Sequence, residues 1–277
     1  MYKMKLRLIY LFTLMLVITT FNNVYAQSSL EDISKSAQDP LANISAINLD
    51  NTLNFSTGED DDTAYGLQIQ GIYSFSTTKF NFVPRVIVPV MAVPKGSDLP
   101  NLEPGGGGED TTWGIGDSMF QLFINPVSDG NWKWGIGPQF SFPTHTNSDL
   151  RGPDWGAGVS GVLIGSVGNW SLGAVAGNLW SFDGDFNQLN IQPLVYYNIP
   201  SLPGVSLSYN PSIIADWNID SSDRWTVPLG AGIGKTFLLG SNGYALDVSV
   251  GAYGIPIRPD GAPKAQLKLA MFFIFPR

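Results

Sequence analysis

The chain has no cysteine and a single histidine, and only 14% of its 277 residues are charged. The absence of cysteine excludes disulfide bonds, thiol catalysis, cysteine-based metal sites and the attachment of lipid to a lipoprotein cysteine. Beyond residue 21 no stretch approaches 18 consecutive apolar residues, so the sequence offers no membrane-spanning helix there. Yet 44% of the residues are hydrophobic, and this combination is unusual for a soluble exported protein.

The first 26 residues have the parts of a secretory signal peptide. Three basic residues precede an almost wholly apolar stretch (8–21), and Val24-Tyr25-Ala26 resembles a cleavage site. We expect residues 1–26 to be removed, which takes away three of the 15 basic residues and none of the 23 acidic ones. The mature chain then has a net charge of −11, which argues against nucleic acid as a partner.

The C-terminal stretch alternates between two faces. One face holds Leu267, Leu269, Met271, Phe273 and Phe275, and the other holds Gln266, Lys268, Ala270, Phe272 and Ile274. Alternation with a period of two is typical of a strand between two environments. A transmembrane β-strand of about 9–11 residues places one face against lipid and the other against a lumen. We therefore predict that this strand closes a barrel by pairing with the first strand near Ile47, Leu49 and Phe55.

From residue 46 onward the chain is predicted to form strands and turns only. The twelve predicted strands lie near 46–56, 63–76, 79–93, 113–125, 132–143, 155–167, 170–182, 187–199, 205–219, 225–238, 244–256 and 263–275. A break of the alternation near Gly116-Asp117 predicts a bulge in the fourth strand. Lys235 lies on an apolar face near a strand end, from which its ammonium group can reach the membrane interface.

The connections between these strands are of two kinds. One set is uniformly short, and the other includes the two longest loops and holds fifteen of the 23 acidic residues. All eight tryptophans lie at or close to strand ends. Short periplasmic turns, longer outer loops and aromatic girdles are typical of outer-membrane barrels.

The predicted fold is all-β: a transmembrane antiparallel up-and-down β-barrel of about twelve strands in the bacterial outer membrane, after a cleaved signal peptide. Residues 46–277 form the barrel. Residues 27–45 form a periplasmic N-terminal segment that is at most a short helix; it lies under the barrel mouth or forms a mobile tail.

Short motifs along the mature chain resemble a known family. They are Asp39-Pro-Leu-Ala-Asn43, Asn54-Phe55 before Asp60-Asp-Asp-Thr63, Trp113-Gly-Ile-Gly-Asp117, Trp134-Gly-Ile-Gly-Pro138, Phe142-Pro-Thr144, Trp155-Gly-Ala-Gly158, Trp180-Ser-Phe182, Gln192-Pro193, Trp225-Thr-Val-Pro-Leu229 and Phe275-Pro276. Their order resembles that of the bacterial outer-membrane transporter-like barrels labelled as MetA-pathway phenol-degradation proteins or, mistakenly, as neuromedin U. The resemblance implies a role in the uptake or efflux of small molecules. The long Pro- and Gly-rich loop 96–108 does not fit the pattern.

Three motifs that suggest chemistry have simpler interpretations. The segment 230–236 looks like a phosphate loop, but Leu229 stands where the Walker pattern requires glycine. His145 is close to Ser148 and Asp149 in sequence, but the three residues lie in one loop, and we expect a water-contacting histidine rather than a catalytic base. The acidic loop tip Gly105–Asp110 is a solvated loop, folds inward to narrow the pore, or binds cations that bridge lipopolysaccharide. We predict no enzyme activity, catalytic residue, metal or cofactor.

Six charged side chains are predicted to point into the barrel and to be candidates for a constriction: Arg85, Asp117, Lys133, Asp216, Asp247 and Lys268. Two interpretations stay open: these charges pair with one another, or they sort solutes by charge and size. Three acids and three bases give no preference for either sign, and the neighbouring amides suit neutral solutes.

We predict a passive channel for small, aromatic or apolar molecules. The alternative is a structural or adhesive barrel with a plugged lumen and working outer loops. The expected partners are outer-membrane lipid and lipopolysaccharide, the barrel assembly machinery and a small-molecule solute.

Overall fold

The structure, a computed structural model, describes residues 27–99, 102, 110–128, 130–240 and 243–275. The predicted signal peptide (1–26) and most of the acidic loop tip Gly105–Asp110 lie outside the described residues. Among the residues that are described, no helix is long and apolar enough to cross a membrane.

Twelve antiparallel strands form a closed barrel, as the sequence predicted. They are β1 (Ser45–Thr57), β2 (Asp62–Tyr73, continued by Phe75–Ser76), β3 (Phe80–Val93), β4 (Thr112–Ile115 and Ser118–Pro126), β5 (Trp132–Phe142), β6 (Gly156–Val167), β7 (Trp170–Ser181), β8 (Asn187–Asn198), β9 (Val205–Tyr209 and Ile213–Asp216), β10 (Trp225–Leu239), β11 (Tyr244–Ile257) and β12 (Ala265–Phe275). Each strand pairs with its neighbours in sequence. The predicted closure is confirmed, because β12 pairs with β1 from Ser45↔Phe275 to Phe55↔Ala265.

We call the end of the barrel that holds Ser45 and Phe275 the inner end, and the opposite end the outer end. The inner end carries short turns. The outer end carries the longer connections, including the loop between β3 and β4 and a loop with a short 3₁₀ helix, Ser148–Leu150.

Three strands are interrupted. At each gap a backbone N–H bonds outside the regular pairing of the strands or, at a proline, is absent. At the gap in β2, Ser74 N–H donates to the Ile44 carbonyl 3.2 Å away, ahead of β1. The break predicted in the fourth strand is confirmed at Gly116-Asp117, where Gly116 N–H donates to the Pro89 carbonyl. The gap in β9 contains Pro211, which has no N–H to donate.

The two faces of the barrel wall differ as the alternation predicted. Outward side chains of β1 and β12, such as Ile47, Leu53 and Leu267, are exposed. All eight tryptophans are 37 to 66% exposed, so they face outward at the strand ends. Lys235 is also on the outside, and its ammonium group lies 5.2 Å from the centre of the Phe237 ring. This cation–π contact agrees with a position at the membrane interface.

The N-terminal segment consists of helix α1 (Gln27–Gln38) and the residues that lead into β1. The helix packs against β10 and β11. Gly204 lies beside it, where a side chain would come within 3.3 Å of Leu30. This segment therefore contacts the inner end of the barrel wall.

The position of β12 makes a prediction about stability in a bilayer. Leu269 is near the middle of the strand on the lipid-facing side, so Leu269→Arg should lower the free energy of unfolding by about 2–4 kcal/mol. Phe275→Arg, at the strand end, should cost only about 0–1 kcal/mol. Urea unfolding in lipid vesicles compares the two variants, and equal losses would contradict the outward assignment of this face.

Candidate functional site: the lumen of the barrel

The middle of the barrel holds a cavity of about 220 Å³. Nine amide side chains line it: Asn54, Gln68, Gln70, Gln121, Gln139, Gln188, Asn190, Gln192 and Gln266. An apolar surface completes the lining, with Ile87, Pro89, Met91, Leu99, Met119, Val175 and Leu179. We call this space the central cavity. Its wall can donate and accept hydrogen bonds and also contact apolar groups.

Several of the amides are held by neighbours on the wall. Gln121 Nε2 donates to Ser160 Oγ at 3.0 Å, and Gln139 Nε2 donates to the Asn178 carbonyl at 3.0 Å. Gln70 Nε2 donates to Gln68 Oε1 at 3.2 Å. These bonds fix the orientation of the amides before any solute arrives.

A second space, the inner chamber, lies toward the N-terminal segment and has a volume of about 140 Å³. Asp50, Gln70, Arg85 and Gln192 line both the central cavity and the inner chamber. The two spaces therefore meet at these four side chains. The carboxylate of Asp50 is 3.1 Å from the ammonium group of Lys268, so one charge at this junction is already paired.

The N-terminal segment is fixed inside the inner end by three polar contacts. Asp39 Oδ2 is 2.7 Å from the ammonium group of Lys133, which donates to it. The guanidinium of Arg85 donates to the Pro40 carbonyl at 2.6 Å and lies 5.2 Å from the centre of the Phe123 ring. Gln38 and Asn198 exchange hydrogen bonds between their amides, at 2.9 and 3.3 Å.

Apolar contacts hold the same segment. Leu41 is 2% exposed and packs in a cluster of buried inward side chains: Ala46, Ile72, Val83, Phe123, Val162, Ile164 and Leu194. Burial of a leucine side chain stabilises its position by about 1.5–3 kcal/mol. The lumen is thus polar in its middle and apolar at the inner end, where Leu41 fills it.

The segment 95–99 of the loop after β3 folds over the outer end of the central cavity. Ser97 is fully buried and Leu99 is 6% exposed, and Leu99 lines the central cavity. The carbonyl of Gly261 accepts hydrogen bonds from Asp98 N–H at 3.2 Å and from Thr57 Oγ1 at 2.7 Å. Gly261 has φ +82, and a side chain there would collide with the Gly96 carbonyl, so this docking point requires glycine.

Asp117 fixes the loop between β5 and β6. One of its oxygens accepts from the N–H of His145 at 3.2 Å and lies 2.7 Å from His145 Nδ1. The other oxygen accepts from the N–H groups of Gly152 and Asp154, at 3.0 and 2.7 Å. His145 is a partly exposed loop histidine: its imidazole is 22% exposed and lies between the carboxylates of Asp117 and Asp154.

The contacts in this loop bear on two possible roles of His145: that of a catalytic base and that of a metal ligand. Ser148 and Asp149 bond to Asn147 and Thr112 rather than to His145. Asp117, His145 and Asp154 place three potential ligand atoms within 4.8 Å of one another. The oxygens of Asp117 also accept hydrogen bonds from three backbone N–H groups of the loop, those of His145, Gly152 and Asp154. The geometry is that of a loop anchor.

The structure separates the six predicted lumen charges into groups along the barrel. Lys133 binds the N-terminal segment at the inner end, and Arg85 lies at the junction of the two spaces. Lys268 pairs with Asp50 in the wall of the central cavity.

The three predicted acids lie farther apart. Asp247 lines the inner chamber and accepts from Thr236 Oγ1 at 2.6 Å. Asp216 is near the outer end, where Gln188 Nε2 donates to it at 3.0 Å, and Asp117 anchors a loop. Among the described contacts no two of the six charges pair with each other, so the expected mutual pairing is not what neutralises them.

Sequence reasoning missed several functional residues. Asp39 and Asp50 are the actual partners of Lys133 and Lys268, and Leu41 fills the inner end. One signal was present: Phe272 and Ile274 continue the polar face of β12 with apolar side chains. An apolar lumen face indicates that another part of the chain packs inside the barrel at that level.

These features define the protein as an outer-membrane β-barrel whose lumen is narrowed at both ends by other segments of the same chain. Residues 62–253 match the family described as "Putative MetA-pathway of phenol degradation", and the chain belongs to this family. This confirms the resemblance drawn from the motifs.

A solved structure with the same fold supports this assignment. An outer membrane channel from Pseudomonas putida F1 aligns with a TM-score of 0.58 at 15% identity, over 84% of this chain and 96% of that one. Outer membrane phospholipase A from Escherichia coli aligns over 90% of this chain and 98% of that one, at 11% identity. Its TM-score of 0.45 is too low to support an argument. No curated protein matches the chain.

The anchoring role of Asp117 predicts a large local effect of its removal. Asp117→Ala leaves three backbone N–H groups without their acceptor, and each buried unpaired donor costs about 1–3 kcal/mol. We expect the loop 144–154 to become sensitive to limited proteolysis while the barrel stays folded. Asp60→Ala, in an exposed outer loop, is the control; equal protection of the loop in both variants would show that Asp117 is not its anchor.

The ion pair of Lys133 with Asp39 predicts a smaller effect at the inner end. Because Lys133 is partly exposed, Lys133→Met should loosen the N-terminal segment by no more than about 1 kcal/mol. Hydrogen exchange of the amides of residues 39–44 should be up to about fivefold faster. Lys79→Met, at an exposed turn of the same end, should leave these rates unchanged; unchanged rates in both variants would exclude a role for the pair.

Proposed function

We propose that this chain is a passive channel of the outer membrane for small, neutral molecules with an aromatic or apolar part. The observation that carries the proposal is the central cavity, whose amides and apolar side chains lie side by side. Such a lining offers hydrogen bonds to a polar group and contact area to an apolar one. The family description, which names phenol degradation, supports an aromatic solute.

The charges in the lumen support a neutral solute. Lys268 is paired with Asp50, and Lys133 with Asp39. Arg85 donates to a carbonyl of the N-terminal segment. A ring of unpaired charges of one sign would select ions, and the described charges of the lumen do not form such a ring. We also propose that the barrel performs no catalysis, since His145 serves to anchor a loop.

We propose the following export, orientation and surroundings for the channel. Residues 1–26 are proposed to direct export, and the inner end with the N-terminal segment is proposed to face the periplasm. Lipid and lipopolysaccharide would surround the exposed apolar side chains and tryptophans of the wall. The barrel assembly machinery would insert the chain.

Passage requires space at the inner end, where the N-terminal segment lies. Removal of residues 27–42, which include α1 and Leu41, should therefore increase solute flux and single-channel conductance severalfold over the full chain. Liposome swelling with phenol-sized neutral solutes and planar bilayers measure the two quantities. Glu31→Gln, which breaks only the exposed pair of Glu31 with Lys35, should behave like the full chain. A barrel that neither conducts nor swells liposomes, with or without residues 27–42, would overturn the channel.

The second candidate is a structural or adhesive barrel whose outer loops are the working surface. It is favoured by one observation: segments of the chain occupy both ends of the lumen. On this hypothesis, deletion of the loop 94–112 abolishes binding to its partner surface and leaves permeability unchanged. On the channel hypothesis, the same deletion changes permeability.

A further inference from the structure

We propose that the segment 95–99 is a pH-dependent lid on the outer end of the central cavity, docked while Asp98 is protonated beside Asp216 of the wall and released when Asp98 ionises. This inference rests on the proposed channel function and names a regulation of the same lumen. Two carboxylates, Asp98 of the lid and Asp216 of the wall, line one small cavity of about 30 Å³. Transport alone does not require such a pair.

When docked, the lid buries Ser97 and places Leu99 in the wall of the central cavity. Its attachment combines two kinds of contact. Leu99 packs in a buried apolar cluster with Met91, Val93 and Leu150, and backbone hydrogen bonds run from Asp98 N–H to the Gly261 carbonyl and from Glu59 N–H to the Lys95 carbonyl. Release of the lid therefore requires this cluster to open as well as the hydrogen bonds to break.

The electrostatic surroundings oppose a charged Asp98. Among the described residues that line its cavity, the only other charged ones are Asp216 at the end of β9 and Arg224 before β10. The guanidinium of Arg224 lies over the Trp217 ring at 5.1 Å and donates to the Ile219 carbonyl. The facing groups from β1, β8, β11 and β12 are Asn54, Gln188, Ile255 and Gln266, which carry no charge.

Neighbours on the lid itself do not offset this repulsion. The ammonium group of Lys95 is turned to Glu59, 3.1 Å away. Burial, and then the negative charge of Asp216, raise the pKa of Asp98 from its usual value to about 6. Asp216 has its own fixed partners, because Gln188 Nε2 and Asn218 N–H donate to its two oxygens.

The direction of the pH effect follows from linkage. A docked lid holds its proton more tightly than a released lid, in which Asp98 returns to the ordinary pKa of an aspartate in water. Docking is therefore fully favoured at pH values below that ordinary pKa and is lost as the pH rises through about 6. A pKa difference of about two units changes the docking equilibrium about 100-fold between acid and neutral pH.

The first test measures single-channel conductance of the full chain in planar bilayers between pH 4 and 8. Conductance should rise as the pH passes about 6. Asp98→Asn, uncharged and of the same shape, should keep the lid docked and conductance low across the range. Asp216→Asn should weaken the pH dependence, because it removes the facing charge. Asp60→Asn, the same change in an exposed outer loop, should follow the natural chain.

The second test reports docking without relying on transport. Because the chain has no cysteine, a single Ser97→Cys can be labelled with a membrane-impermeant maleimide, and its rate divided by that of exposed Asp60→Cys at the same pH. The ratio cancels the intrinsic effect of pH on the thiol. It should rise many-fold from pH 5 to pH 8 in the Ser97→Cys chain and stay low when Asp98→Asn is added.

The outcomes separate the two proposals. A conducting channel whose conductance and labelling ratio do not change with pH overturns the lid and leaves the channel in place. A barrel that never conducts, but whose labelling ratio rises with pH, supports the lid and overturns the channel. An Asp98→Asn variant with the full pH response of the natural chain also overturns the lid, because the titrating group is then elsewhere.

Discussion

Every backbone N–H and C=O group in the hydrocarbon part of a membrane must find a partner within the protein, and pairing β12 with β1 meets this requirement for the last open edge. The register runs through eleven residue pairs, from Ser45↔Phe275 to Phe55↔Ala265. Because side chains alternate along each strand, a slip of one residue would turn the face of Leu267 and Leu269 into the lumen and Lys268 into lipid. Closure thus fixes which side chains reach the lumen, and the remaining architecture follows from it.

A closed barrel of twelve strands has more interior than its own side chains fill. At the inner end the chain fills this space with its N-terminal segment, and the wall there is apolar. In the middle the wall carries amides, and a cavity stays open. The change from apolar to amide lining marks where packing ends and a solute-sized space begins.

The sequence was sufficient to predict the strands of the barrel wall, but not which segments of the chain lie inside the barrel. Alternation is a local property of each strand, so twelve strands, their order and the break at Gly116-Asp117 could be predicted from periodicity. The partners of the lumen charges could not be predicted. Asp39 and Asp98 belong to segments that fold into the barrel from its two ends, and periodicity contains no information about where such segments lie.

Local sequence accounts for only part of the environment of His145. Its position in a polar loop predicted contact with water, and the side chain is partly exposed, but the strand break twenty-eight residues earlier also directs Asp117 toward it. The break in β4 and the anchoring of the loop belong together. Gly116 N–H bonds to Pro89 of β3, and Asp117, which lies outside the regular strand pairing, holds the loop between β5 and β6. A bulge predicted from sequence therefore marks a position where a side chain can make contacts outside the strand pairing, even when its partners are unknown.

Apolar packing holds segments of the chain at both ends of the lumen, and the outer end also places two carboxylates in one cavity. Leu41 is held by burial of apolar area, which depends little on pH or salt. At the outer end Leu99 of the lid packs with Met91, Val93 and Leu150, and the two carboxylates beside it make docking depend on one proton as well. The proposed lid would therefore respond to pH, whereas the packing of Leu41 would not. Opening of the inner end requires a force that acts on packing, such as a solute that competes for the apolar surface around Leu41.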